Sequence, residues 1–186
     1  MSLHLIIGPM YSGKTTELLR LFNRYNCIGK NIVVITHSID TRYHKGICSH
    51  DARSCGSICL SALTDLEDDI FTQADVIFVE ELQFFEDAFK TITYWVDRYD
   101  KTVICAGLDG DFERNPFGDV LKLIPHADTI TKLTALCKKC NDGTPAIFSK
   151  RVSTEYEQTL VGGSESYQSV CRKHYLEEKN ISTVSI

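Results

Sequence analysis

The sequence predicts an α/β fold: a parallel sheet flanked by helices, with a small second unit towards its C-terminal side. Three observations predict it. Short apolar, β-branched runs alternate with segments whose apolar residues recur at helical spacing. The runs lack polar alternation, which is the pattern of strands covered on both faces. From about Ala135 the character changes, with cysteines in close pairs and little helical periodicity.

The elements follow in order. Leu3–Ile7 is a buried strand ended by Gly8-Pro9. Lys14 to about Tyr25 is a helix, because Leu18, Leu19, Leu21, Phe22 and Tyr25 share one face. Residues 31–36 form a second strand. Residues 41–60 are polar and irregular and read as a loop with a short strand. Leu63–Thr72 reads as an acidic helix and Asp75–Val79 as a third strand running into Glu80-Glu81. Residues 86–98 read as a helix, with Phe89, Ile92 and Trp95 on one face. Residues 102–108 form a fourth strand, ended by Asp109-Gly110. The predicted units are 1–135 for the α/β domain, 136–179 for the cysteine-paired module and 180–186 for a loose tail.

Composition bounds what such a chain can be. Its 186 residues, 43 % of them hydrophobic, can bury a core without disulfides. The net charge of −5 argues against a surface built to coat nucleic acid. The run Leu3–Ile7 is too short for a secretory signal, and no stretch approaches the ~20 apolar residues of a membrane span. A soluble, cytoplasmic protein is expected. In that setting eight cysteines read as free thiols or metal ligands rather than as a disulfide framework.

Residues Gly8-Pro9-Met10-Tyr11-Ser12-Gly13-Lys14-Thr15 match G-x-x-x-x-G-K-[ST] in full. Glycines let backbone N–H groups turn inward around phosphate oxygens, and the following helix presents its positive end to the same anion. Lys14 would reach the β- and γ-phosphates of ATP, and the Thr15 hydroxyl would ligate Mg²⁺. The alternative is a glycine-rich turn matching by chance, but a strand before it and an amphipathic helix after it favour phosphate binding. Glu80 and Glu81 end the third strand, where such a fold keeps its metal-linked acid and its proton acceptor. Gln83, Phe84 and Phe85 follow at once. An amide and aromatics there could orient a flat ring, although core packing is the commoner fate of phenylalanine.

Cys137 with Cys140, and Cys171 with His174, make two pairs at ligand spacing, together a Cys₃His set for a closed structural Zn²⁺ site. Buried thiols acting as small hydrophobes are the competing explanation. Cys27, Cys48, Cys55, Cys59 and Cys105 receive that plainer reading, Cys105 as a core residue.

These features, with Asp40-Thr41-Arg42-Tyr43, Leu108-Asp109-Gly110, Phe112, Asn115-Pro116-Phe117-Gly118 and Gly162-Gly163 followed by Tyr167, resemble the type II thymidine kinases from Leu3 to about Tyr175. The resemblance implies a P-loop, RecA-like sheet and a zinc-ribbon-like module carrying a lasso loop. It implies a Mg²⁺-dependent kinase that phosphorylates the 5′-hydroxyl of deoxythymidine, forms homotetramers and is inhibited by thymidine triphosphate. Residue by residue, it implies that Glu81 is the catalytic base and that Arg42 lies near the phosphates with Lys14. Asp40 is implied as linked to the metal shell, with Thr41 beside it. Met10, Phe112 and Phe117 are implied around the thymine ring, where Phe84 can also stack. Tyr167 and the segment Gln158-Thr159-Leu160-Val161-Gly162 are implied as the nucleoside contacts. Glu80, Gln83 and the loop 8–15 are implied on the nucleotide side.

Two positions depart from the family pattern. Glu80 stands where an Asp is usual and reaches one methylene further. Leu82 stands where a Gly is common and is expected to crowd the turn. A competing reading is an ATP-dependent nucleic-acid-binding module with a zinc ribbon as its reader, since Lys138, Lys139, Lys150, Arg151, Arg172 and Lys173 cluster in this part of the chain. Against it stand the acidic net charge and the placement of those residues around turns.

Overall fold

The computed structural model describes residues 1–40, 47–48, 54–153, 157–158, 162–163 and 165–177. Its centre is a six-stranded sheet of β1 (Ser2–Ile7), β2 (Ile32–His37), β5 (Ile58–Leu60), β6 (Val76–Val79), β7 (Thr102–Gly107) and β8 (Thr129–Lys132), in the order β5-β2-β6-β7-β1-β8. Every pairing in it is parallel. All C-terminal strand ends therefore share one edge, which is where open α/β sheets bind ligands. The strands β3 (Ile47–Cys48) and β4 (Ser54–Cys55) form a separate antiparallel pair.

Strand period explains the two cores. In β1, Leu3, Leu5 and Ile7 point to one face and Ile6 to the other; in β6 the split is Ile77 and Val79 against Val76 and Phe78. The helix α1 (Lys14–Cys27) covers the second face through Leu18, Leu19 and Leu21. The helix α3 (Ala88–Tyr99) covers the first through Ile92, Trp95 and Val96. Every residue of β6 is buried, as the unbroken apolar run required.

The acidic helix expected over 63–72 is split. A 3-10 turn holds Leu63–Asp65, Leu66 is extended, and α2 runs only from Asp68 to Gln73. The core explains the break, and a carboxylate from α3's start holds the first turn. The Asp87 carboxylate accepts the N–H groups of Leu63 at 3.1 Å and Thr64 at 2.9 Å, while Leu63 and Leu66 both enter the core. Among the described elements that the sequence reading did not give are the 3-10 segment Val120–His126 and the edge strand β8, which is mostly exposed.

A third buried cluster lies beyond the sheet: Ala135, Cys137, Ala146, Val170, Cys171 and Tyr175. It is framed by β9 (Ala135–Leu136) with β10 (Pro145–Ala146), by β11 (Phe148–Arg151) with β12 (Tyr167–Val170), and by the short helix α4 (Arg172–Glu177). Among the described residues no helix is long and apolar enough to cross a membrane.

Candidate active site and metal centre

The glycine loop joins β1 to α1. A Cβ on Gly8 would lie 2.5 Å from the Leu133 carbonyl oxygen, so only glycine fits there. Gly13 at φ 85 and Tyr11 at φ 63 turn the loop through the left-handed region. The Ser12 hydroxyl is buried without a hydrogen-bond partner among the described residues. An orphaned hydroxyl inside an amide-rich loop is what a bound phosphate oxygen would satisfy. Lys14 Nζ donates to the Pro9 carbonyl at 2.9 Å and so lies folded along the loop it would leave for a phosphate. The Thr15 hydroxyl donates to Glu80 Oε1 at 2.6 Å. That pairing fits a Mg²⁺ site: a hydroxyl ligand backed by a buried carboxylate.

The strand β6 delivers two acids in different ways. Glu80 is buried and faces Thr15. Glu81 takes φ 52 and ψ 46, a left-handed conformation that is uncommon for a non-glycine residue. The turn swings its side chain onto the wall of a cavity of about 520 Å³. Gln83 Nε2 donates to Glu81 Oε2 at 2.5 Å, and the Leu108 N–H donates to Gln83 Oε1 at 3.0 Å. Leu82 does not crowd the turn as expected: its side chain is 1 % exposed and sits in the core.

The same cavity gathers Met10, Phe84, Phe112 and Phe117. Phe84 and Phe117 meet edge to face with centroids 5.8 Å apart. Tyr167, Gln158 and Gly162 face the cavity from beyond the sheet, and Lys14 and Thr15 from the loop. Gly8, Pro9, Ser12 and Glu80 lie behind the described wall, not on it. Asp40 is not on it either; its N–H donates to the His37 carbonyl at 3.0 Å and closes the turn after β2. Thr41, Arg42, Tyr43, Thr159, Leu160 and Val161 lie outside the described residues.

Several residues of this region were given no place in the site by the sequence reading, which had put Arg151 in the basic cluster. Ser149 Oγ accepts the Met10 N–H at 2.9 Å and ties β11 to the phosphate loop. Asp111 accepts from Gln158 Nε2 at 2.7 Å. The Arg151 guanidinium sits 3.9 Å from the Phe112 ring centroid and donates to the Tyr167 hydroxyl and to the Glu157 and Gln158 carbonyls. The Tyr175 hydroxyl donates to the Phe112 carbonyl at 2.8 Å. Only a contact across the fold gives each of them its place here.

Cys137, Cys140, Cys171 and His174 converge with their ligand atoms all within 4.8 Å of one another. Cys140 Sγ and Cys171 Sγ are 3.8 Å apart, and His174 Nδ1 is 3.3 to 3.5 Å from the three sulfurs. A tetrahedron with Zn–S bonds of ~2.3 Å has S–S edges of about 3.8 Å, so the set fits Zn²⁺. Burial opposes ionising Cys137, but hydrogen bonds from the backbone at Cys171 and Cys140 and from His174 outweigh it and draw the thiol down to about 6. Burial and the neighbouring Cys137 and Cys171 push Cys140 up to about 11. Cys105, inside β7, is pushed upward by burial alone, as a core thiol should be.

Comparison with known proteins gives a single outcome. The thymidine kinase family model matches residues 1–175. The thymidine kinase of Yaba monkey tumor virus is 45 % identical over 179 residues, covering 96 % of both chains. That of rabbit fibroma virus is 42 % identical over 174 residues, covering 93 % of this chain and 95 % of the other. A rice thymidine kinase is 41 % identical over 181 residues, covering 94 % of this chain and 66 % of its own.

Proposed function

The chain belongs to the thymidine kinase family, and on that footing we propose that it transfers the γ-phosphoryl group of ATP to the 5′-hydroxyl of deoxythymidine. One observation carries the reading. A single cavity is lined by Lys14 and Thr15 of the phosphate loop, by Glu81, and by the aromatic set Phe84, Phe112 and Phe117. Phosphate donor, proton acceptor and a ring-shaped slot thus share one space.

The roles follow from placement. The loop amides, the Ser12 hydroxyl and the start of α1 hold the phosphates. Lys14 exchanges the Pro9 carbonyl for phosphate oxygens, so its charge lies where negative charge develops. Glu81 accepts the proton of the 5′-hydroxyl as the O–P bond forms, and ADP departs from the opposite side of phosphorus. Met10, Phe84, Phe112 and Phe117 stack and edge the base, while Tyr167 and the segment Gln158–Gly162 close over the nucleoside and exclude water. Mg²⁺, held by the Thr15 hydroxyl with Glu80 behind it, would offset the charge of the phosphates. Zn²⁺, held by Cys137, Cys140, Cys171 and His174, would staple residues 136–179 as a unit. The resemblance further supports a place for Asp40, Thr41 and Arg42 near the metal and phosphates. It also supports a homotetramer and inhibition by thymidine triphosphate.

The test is turnover. Purified protein given ATP, Mg²⁺ and deoxythymidine should form ADP and the 5′-monophosphate in equal amounts. ATP consumption without the monophosphate would refute the proposal.

A further inference from the structure

We propose that Gln83 is the positioning residue of the catalytic carboxylate: it fixes one oxygen of Glu81 so that the other faces the substrate hydroxyl. This rests on the reading of Glu81 as the base. The sequence grouped Gln83 with the nucleotide-binding residues, but its carboxamide is engaged at both ends inside the protein. The Leu108 N–H donates to Oε1 at 3.0 Å. A backbone N–H pairs only with an acceptor, so this bond identifies the oxygen end and turns the NH₂ end towards Glu81. Nε2 then donates to Glu81 Oε2 at 2.5 Å, a bond strengthened by the carboxylate charge.

The surrounding backbone is shaped to Gln83. Gly107 ends β7, and a Cβ there would lie 3.1 Å from Gln83 Oε1 and 3.2 Å from Val120 Cγ2. Gly118, at φ +57, passes so close that a Cβ would fall 2.3 Å from the Gln83 carbonyl oxygen. Gln83 itself is 4 % exposed although it reaches the cavity wall. Gly118 thus packs on the Gln83 backbone, while Gly107 and the Leu108 N–H confine the carboxamide, whose other end meets one carboxylate oxygen. Glu81 needs this. Its side chain has three rotatable bonds and springs from a left-handed turn, so its own backbone does not orient the carboxylate plane. A base misplaced by ~1 Å can cost about a hundredfold in rate.

The experiment is a double-mutant cycle on turnover, with kcat and both KM values measured for wild type, Gln83→Met, Glu81→Gln and the pair. Gln83→Met should lower kcat by about 10- to 100-fold and leave KM for ATP and for deoxythymidine within about threefold, because the ground-state contacts are untouched. With Glu81→Gln already present, Gln83→Met should change kcat by less than about twofold, since its only route to the chemistry is gone. Equal costs in both backgrounds, or a cost in KM, would overturn the proposal. If Glu81→Gln alone keeps wild-type kcat, the base reading has failed and this inference fails with it, a result distinct from additive costs. Should Gln83→Met not fold, Gln83→Glu takes its place. It retains the acceptor for Leu108 and sets an acid against Glu81, and it should show the same kcat-only, non-additive loss.

Discussion

Arg151 offers the sharpest test of how the segment beyond the sheet is held over the nucleoside. The perturbation is Arg151→Ala, with Arg151→Lys beside it. The guanidinium is 9 % exposed, lies 3.9 Å from the Phe112 centroid and 5.1 Å from that of Tyr167, and donates to the Tyr167 hydroxyl and to the Glu157 and Gln158 carbonyls. A desolvated cation–π contact is worth ~2 kcal/mol. Glu157 and Gln158 are exposed, so water can replace the donors to their carbonyls, whereas the buried Tyr167 loses a charged partner. The net cost is about 2 to 3 kcal/mol. It falls on the ordering of residues proposed to contact the nucleoside and not on the phosphate loop. At ~1.4 kcal/mol per decade, KM for deoxythymidine should rise about 30- to 100-fold in Arg151→Ala, with KM for ATP changed by less than about threefold. Arg151→Lys keeps a charge over Phe112 but loses the fork, and should fall between. Steady-state kinetics with each substrate varied reads the split. An unchanged nucleoside KM would refute the argument, and so would equal rises in both.

Elemental analysis should find close to one zinc per chain, and stripping it with a chelator should lower Tm and abolish turnover together; zinc-free protein with unchanged Tm would remove the Cys₃His site. Glu81→Gln should cut kcat by a factor of about 10² or more while leaving the Kd for ADP within about threefold by calorimetry. Glu80→Gln keeps the reach to Thr15 but removes the charge, so the Mg²⁺ concentration for half-maximal rate should rise about tenfold, with less effect on nucleoside KM. No change in that Mg²⁺ titration would detach Glu80 from the metal.

Parts of this site were legible because their constraints are contiguous in sequence. Residues 8–15 must be consecutive to wrap a phosphate, and a tight metal turn needs Cys137 and Cys140 three apart. The long apolar runs likewise announced β1, β6 and β7. Of the aromatic cavity wall, Phe84 was read from its place after the acidic pair, and Phe112 and Phe117 only through family resemblance. Phe84, Phe112 and Phe117 come from separate turns, and nothing in a lone phenylalanine says whether it meets core or ligand. Ser149 and Asp111 were illegible for a related reason, and Arg151 was read only as part of a basic cluster: what places each of them is contact made across the fold. The edge strand β8 was missed because an exposed Thr-Ile-Thr-Lys has no buried face to declare itself. The helix expected over 63–72 is broken at Leu66, which turns extended so that it enters the core together with Leu63, a demand of packing that the local sequence does not announce.

The turn at residues 80–82 shows why two departures from the family pattern are compatible with the same site. The positive φ falls on Glu81, not on Leu82, so a glycine at 82 would meet no conformational demand that leucine fails. A left-handed non-glycine residue costs of order 1–2 kcal/mol. A fully buried leucine contributes ~1.5–3 kcal/mol relative to an exposed one, and Leu82 is buried immediately beside the strained residue. The core side chain therefore offsets the strain that aims Glu81 into the cavity. Glu80 completes the arrangement. Its extra methylene is taken up in a direct 2.6 Å bond to the Thr15 hydroxyl, so the acid proposed to back the metal is already fixed against the phosphate loop. The three residues divide the work of one turn: Glu80 looks to the phosphate loop, Glu81 to the cavity, and Leu82 anchors the turn in the core.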